Sequence, residues 1–429
     1  MVRSCAIAPF ARRCLLAAFL AGTMEASQAR GQDIPDGVGV ADRSHPEFRP
    51  IGGRVGSFFI YPELSAMLEF DDNVFASAAA RRADTIYTLR PSATIESLWS
   101  THSLRGTAYY QRTEFQNNDT ESVSEFGGEV AGRYDIDRSS NLRLRLAARH
   151  EAERRYNFTS DQASRTPLIF DEFALQAGGT KQFGRFRVDA TAAMRSLSYD
   201  DNVSRIGTRI PGAVRDSTIK SLGLRVTYVS AAAVNMFVAG QADRRNFKLA
   251  PGDADYDPIL NFDRDSRGGR LEGGISIELP DRLYGSLRVG YLFQNYADPR
   301  LRDISAASYG ADLLWNATRL TSLRLAIDRA VSPNTSTRDA GLFRTKYGVV
   351  ISHELRRNIV LTGSAEYTQV EPIGPSPKFR EGTYGVGVRY LANRWLGIEA
   401  GYVHRLRDSD DDQLDYRANR IILNVRIRL

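Results

Sequence analysis

From Val55 to Leu429 the apolar residues of this chain recur at every second position. Leu283, Gly285, Leu287, Val289, Tyr291 and Phe293 share one side of a run, and Tyr284, Ser286, Arg288, Gly290 and Gln294 share the other. The final run sets Ile421, Leu423, Val425, Ile427 and Leu429 against Asn424, Arg426 and Arg428. A helix would space its apolar residues three and four apart. Alternation over ten or more residues describes long strands with one apolar and one polar face. Strands of soluble domains average about five or six residues. Long strands repeated this often predict a transmembrane barrel and not a sandwich.

Composition is compatible with that reading without forcing it. Apolar residues make up 42% of the 429, charged residues 25%, and mean hydropathy is −0.35. No uninterrupted apolar run reaches the roughly 18 residues of a membrane helix. A barrel strand meets lipid only at alternate residues, so its average hydropathy resembles a soluble chain. The apolar content is too high for a disordered protein.

Connections along the chain alternate in length. Asp137–Ser140, Gln182–Arg185 and Arg356–Asn358 are short, whereas Asn202–Arg215 and Lys248–Asp265 are long and polar. The expected fold is an all-β, antiparallel up-and-down transmembrane barrel of about 18 strands, between roughly 16 and 20. Its short turns face the periplasm and its longer loops the exterior.

The first 29 residues read as a secretory signal. Arg3, Arg12 and Arg13 precede the apolar segment Cys14–Gly22, and Ser27-Gln28-Ala29 supplies small residues for cleavage. Both cysteines, Cys5 and Cys14, lie within it. Cleavage after Ala29 would therefore remove disulfide, Cys–zinc and thiol-nucleophile chemistry together. Loss of Arg3, Arg12, Arg13 and Glu25 also lowers the formal charge of +6 by two. That small excess argues for no nucleic-acid partner. Residues 30–54, rich in Pro and Gly, read as a periplasmic linker or partial plug, and residues 55–429 as the barrel.

Tyr61, Pro62 and Leu64, followed by Phe70-Asp71-Asp72-Asn73-Val74-Phe75, form the one local motif. This segment resembles the opening of the putative beta-barrel porin 2 family of Gram-negative bacteria. There a P-x-L…(Y/F)-D-D-N-(V/I)-(F/Y) segment begins a domain filling nearly the whole chain. The resemblance implies an outer-membrane, porin-like channel for passive passage of hydrophilic solutes. It also implies a link to surface polysaccharide export, since some relatives are associated with making or exporting such glycans. The partners it implies are outer-membrane lipid and lipopolysaccharide, the barrel-assembly machinery and polysaccharide-export components. It supplies no catalytic residue and no cofactor. Leu429 departs from the terminal Phe usual in outer-membrane barrels.

The polar face should line the interior. Its early strands carry Arg105, Arg133, Arg143, Arg145, Arg149, Arg187, Arg195 and Arg225, and its later ones Asp312, Asp328, Glu366 and Glu399. Partial segregation of this kind would set a transverse field across a pore and orient charged solutes. The alternative is that the charges pair with neighbours in a wet interior. A slip of one residue would reverse the assignment on any strand. The inward aromatics, Tyr61, Tyr109, Tyr284 and Trp395, are too few for a continuous sugar-stacking track.

Other constellations are weak. Asp408–Asp412 and Asp253–Asp257 lack the spacing of a calcium loop and read as solvated charge. Asp71-Asp72-Asn73 reads as turn chemistry. Of the five histidines, His45 falls in the linker and His102 at a turn. His150, His353 and His404 fall on the outward face of separate strands. There is no metal-spaced His pair and no G-x-S-x-G motif. The reading is therefore of a non-enzyme without catalytic residues, metal or cofactor. Its alternatives are an outer-membrane hydrolase with a carboxylate site on the loops, and a plugged structural or adhesive barrel. The missing 40–50-residue repeat disfavours a soluble propeller.

Overall fold

The computed structural model describes residues 37–429 apart from 157–163, 254, 260, 333–335, 337 and 338. The signal segment expected at 1–29 lies outside the described residues, as do residues 30–36 of the linker. The first half of the sheet comprises β1 (Phe58–Asp71), β2 (Asp84–Ser97), β3 (Ser103–Phe115), β4 (Val123–Asp137), β5 (Ser140–Glu153), β6 (Leu168–Phe183), β7 (Phe186–Tyr199), β8 (Ser217–Tyr228) and β9 (Val234–Phe247). The second half comprises β10 (Ser266–Leu279), β11 (Leu283–Tyr296), β12 (Ile304–Thr318), β13 (Thr321–Ser332), β14 (Leu342–Arg356), β15 (Ile359–Pro372), β16 (Phe379–Leu391), β17 (Leu396–Ser409) and β18 (Tyr416–Arg428).

Each strand pairs antiparallel with its chain neighbours. The sheet closes where β18 returns to β1, with Arg428 opposite Glu63 and Arg420 opposite Asp71. The result is the expected closed barrel, of 18 strands. Closure pairs the backbone groups that an open sheet would expose at its edges. A three-residue strand, Gly53–Val55, pairs with Phe58–Ile60, the stretch of β1 below the reach of β18. The barrel strands run from 12 to 16 residues. A tilted strand needs about 9–11 residues to cross the hydrocarbon, so these strands extend past the membrane.

Exposure follows the alternation. Phe70 is 45% exposed while its neighbour Glu69 is 3% exposed. A soluble sheet would reverse those values. Leu142, Leu144 and Leu146 on β5, and Leu287, Val289, Tyr291 and Phe293 on β11, are likewise exposed and form the lipid face. The residues between them point inward.

The turns have the expected asymmetry. Arg138 and Ser139 alone join β4 to β5, and Gly184 and Arg185 join β6 to β7. Gly184 adopts φ +57°, a conformation that glycine takes without steric cost. At the opposite end, residues 72–83, 154–167, 200–216 and 248–265 form long connections. A small apolar core sits there, where Tyr156 packs against Ala76, Tyr416 and Ala418.

Candidate functional site

Inward side chains form a lattice of arginines and carboxylates. Arg145 and Arg149 on β5 both reach Glu129 of β4, at 2.7 and 3.1 Å. Arg149 also lies 3.6 Å from Glu172 on β6, which Arg195 of β7 grips with two hydrogen bonds of 3.0 Å. Asp189 is shared by Arg143 and Arg187, at 3.6 and 3.5 Å. In this sector five guanidiniums share three carboxylates. These eight side chains carry a local positive excess, and no arginine among them stands alone. Glu125, Glu151 and Asp135 on the same inward faces offset it along the strands as a whole.

Charges of both signs mix around the circumference. Acids interleave the arginines on β4–β7, and arginines interleave the acids elsewhere. Glu399 is gripped by both Arg389 and Arg426. Asp328 pairs with Arg288 at 2.7 Å, and Glu366 with Lys346 at 2.7 Å. Gly310 makes room for that arginine, since a Cβ there would stand 2.5 Å from the Arg288 guanidinium. Arg105 pairs with Glu96 at 3.4 Å, and Arg133 with Asp135 at 2.7 Å. Arg225 donates to Ser276 at 2.9 Å and lies over the Phe237 ring at 3.6 Å. Asp312 faces Ala326 and Ser286 across the ladder.

At the extracellular end the opening motif is more than a turn. Asp71 Oδ1 accepts from the Asn73 amide at 2.8 Å. Asp72 accepts from the backbone and side-chain nitrogens of Asn419, both at 2.7 Å, and so ties β1 to β18. Asn73 is fully buried and donates to the Ser77 and Arg417 carbonyls. Val74 is buried, and Phe75 takes Arg205 of the β7–β8 loop over its ring at 5.1 Å. Leu64 and Phe70 face lipid. Tyr156 descends from the β5–β6 loop into the lumen, where its hydroxyl meets Asp71 and the Asn73 carbonyl. Arg155 beside it forms a buried pair with Glu121, at 2.7 and 2.9 Å. These bonds hold Arg155 and Tyr156 on the lumen side of the extracellular end.

The periplasmic end is occupied by residues 37–49. Val40 is fully buried, and its amide donates to Ser322 Oγ at 2.9 Å. Arg43 reaches the Arg319 carbonyl and Asn316. Arg389 donates to the Ala41 carbonyl at 2.9 Å, and Arg394 to the Glu47 carbonyl at 3.2 Å. Arg49 reaches the Tyr61 hydroxyl at 3.5 Å. The segment therefore crosses the mouth from β12 and β13, past β16, to β1.

Some expectations shift in position. Trp395 does not point inward: it is exposed on the β16–β17 turn, beside Ile60, Pro62 and Leu429. Its place in the turn frees it from strand parity. Tyr109 and Tyr284 are inward and engaged, Tyr109 with Glu151 at 3.1 Å and Tyr284 with the Asp281 amide at 2.7 Å. His150 stacks on Phe126, while His353 and His404 bond Thr321 and Asn419. The three histidines stay apart. Among the described residues no three His, Asp or Glu side chains gather around a common metal position. Sequence reasoning missed Glu129 and Glu172 as partners of the basic face, although both stand at the inward parity of their strands. It also missed Tyr156, which no periodicity marks.

Closed strands with an apolar exterior and a charged interior define an outer-membrane β-barrel. The family model of putative beta-barrel porin 2 matches residues 45–429, and the chain belongs to that family. A comparison with curated proteins gives no match. Among solved structures, OpdO of Pseudomonas aeruginosa is similar at 12% identity and TM-score 0.46, over 87% of this chain and 98% of that one. OpdK of the same organism is 10% identical with TM-score 0.44, over 86% and 99%. The siderophore receptor PirA of Acinetobacter baumannii is 7% identical with TM-score 0.45, over 86% and 80%.

Proposed function

We propose that this protein is a passive outer-membrane channel for small hydrophilic solutes, with a preference for anions and a periplasmic mouth partly filled by residues 37–49. The observation that carries this reading is the local cluster on β4–β7 in which five guanidiniums share Glu129, Glu172 and Asp189. Its excess acts close to these residues, because Glu125 and Glu151 lie on the same faces. Charged walls of low dielectric focus their residual field into the lumen and raise the local anion concentration. Phosphorylated or carboxylated sugars would suit such a wall, which is how a role beside surface polysaccharide export would be served. Nothing in the lattice converges on a reacting atom, so the reading is transport and not catalysis. The leader through Ala29 would direct export and be removed.

The test is conductance of the purified protein in planar bilayers. Step-like openings with anion-selective reversal potentials in a KCl gradient are expected. Absence of conductance in every salt would overturn the open-channel reading and favour a plugged structural barrel.

A further inference from the structure

Three cations stand side by side on the lipid face of the barrel. Lys220 of β8 lies directly opposite Arg244 of β9, and Arg244 directly opposite Arg267 of β10. All three are exposed and share the parity of the lipid-facing Leu222, Val238 and Leu271. Side chains directly opposite on antiparallel strands have Cβ atoms about 4.5–5.5 Å apart. Like charges at that spacing repel, and an apolar surroundings strengthens the repulsion. The row is flanked by Met194 on β7 and Asn295 on β11, neither of which supplies an anion. Asp265, two residues from Arg267 on the same side, is already engaged. It accepts from Asn246 Nδ2 and the Phe247 amide, both at 2.6 Å.

The height of the row identifies what could neutralise it. Counted from the periplasmic ends of β8, β9 and β10, it lies roughly 8–12 residues up, where a tilted strand leaves the hydrocarbon. Phe293 and Tyr291, exposed on β11, pair with Gly269 and Leu271 just below Arg267. Aromatic residues of this kind mark the interface of a barrel with its membrane. The row therefore sits at the headgroup level of the outer leaflet, on the side facing lipid.

We propose that Lys220, Arg244 and Arg267 form a binding site for the phosphate groups of a phosphorylated glycolipid of the outer leaflet. One phosphate bridging neighbouring cations turns three repelling charges into charge-assisted hydrogen bonds. The acyl chains then lie along Leu222, Val238 and Leu271 below. The site is outside the lumen and is independent of whether the channel conducts.

Native mass spectrometry of the full-length barrel with added diphosphoryl lipid A tests this. Each cation near an anionic membrane surface contributes roughly a fivefold gain in affinity. Lys220→Gln should therefore weaken binding about fivefold, and the triple variant K220Q/R244Q/R267Q about 100-fold. Arg417→Gln, at an exposed outward position of β18, should leave binding unchanged. Lipid A stripped of its phosphates should bind the wild type as weakly as diphosphoryl lipid A binds the triple variant. Heat-modifiable gel migration verifies that the variants fold, and conductance should be the same in all of them. Equal lipid A binding by wild type and triple variant overturns the proposal. Displacement of lipid A by an equal concentration of inorganic phosphate overturns the assignment to a lipid.

Discussion

The Tyr156 hydroxyl donates to the Asp71 carboxylate, joining the β5–β6 loop to the strand at which the barrel closes. Tyr156, three residues beyond β5, thus spans the gap left by β2, β3 and β4, which separate β5 from β1. Asp71 is 1% exposed and also faces Arg420 at 3.7 Å. Burial, reinforced by the Asp71 carboxylate, pushes the Tyr156 phenol above its ordinary pKa, so the hydroxyl remains a donor.

Removing that donor should open the mouth. Tyr156→Phe keeps the ring against Tyr416 but leaves a buried carboxylate with one partner fewer. Such a loss costs about 1–3 kcal/mol, concentrated on the loop because the strand ladder is untouched. Single-channel conductance should rise, while the temperature at which gel mobility shifts should hardly change. Unchanged conductance would show that the loop is held by its other bonds, chief among them Arg155 to Glu121.

The lumen lattice predicts opposite effects from its two kinds of member. Arg143→Gln, Arg145→Gln and Arg149→Gln together should lower the anion-to-cation permeability ratio toward one, since Glu129 would lose both of its guanidiniums. Glu172→Gln should raise the ratio by leaving Arg149 and Arg195 underneutralised. It should also destabilise the barrel, because a pair broken on one side leaves its partner's charge uncompensated. Reversal potentials in a KCl gradient measure both. Equal ratios in the two variants would count against the lattice as the selectivity element.

How much of this was legible before the fold was known follows from the physics of a barrel. Period two and turn length are local properties, so strand parity on β1 and β11 and the long and short connections could be read from the chain. Pairing register is not local. Glu129 stands opposite Ala147 in the ladder, between Arg145 and Arg149, only once β4 and β5 are aligned. Tyr156 and Val40 were less legible still. Each acts where a loop or terminal segment enters the lumen, and such contacts depend on closure of the whole sheet.

Val40 offers a test of the periplasmic mouth. It is fully buried, so Val40→Asp would place a carboxylate where its only gain is proximity to Ser322 and the nearby arginines. An inadequately paired buried charge is expensive, and residues 37–49 can escape that cost by leaving the mouth. The expected result is higher conductance together with faster trypsin cleavage after Arg43, which Ser44 follows. Gel mobility should stay that of a folded barrel. Wild-type cleavage rates in the variant would mean that the segment remains seated.

Acid should release one outer loop at a pH set by a single carboxylate. Asp298, between β11 and β12, is held down to about 2 chiefly by hydrogen bonds from the Arg300 side chain. Arg300 in turn donates to the Pro258 and Asn261 carbonyls of the β9–β10 loop, at 2.6 and 3.2 Å. A carboxylate whose pKa is depressed on folding adds stability above its unfolded pKa, near 3.8, and loses it as pH falls through the folded value. The clamp should therefore be intact from neutral pH to about 4 and vanish between about 4 and 2. Hydrogen exchange at the Leu301 amide, bonded to the Asp298 carbonyl at 3.0 Å, reports it. Protection relative to the intrinsic rate should hold to about pH 4 and then fall. Asp298→Asn should show the low protection already at neutral pH and no further acid step. An acid step that persists in that variant would assign the transition to another group and overturn the role of Asp298.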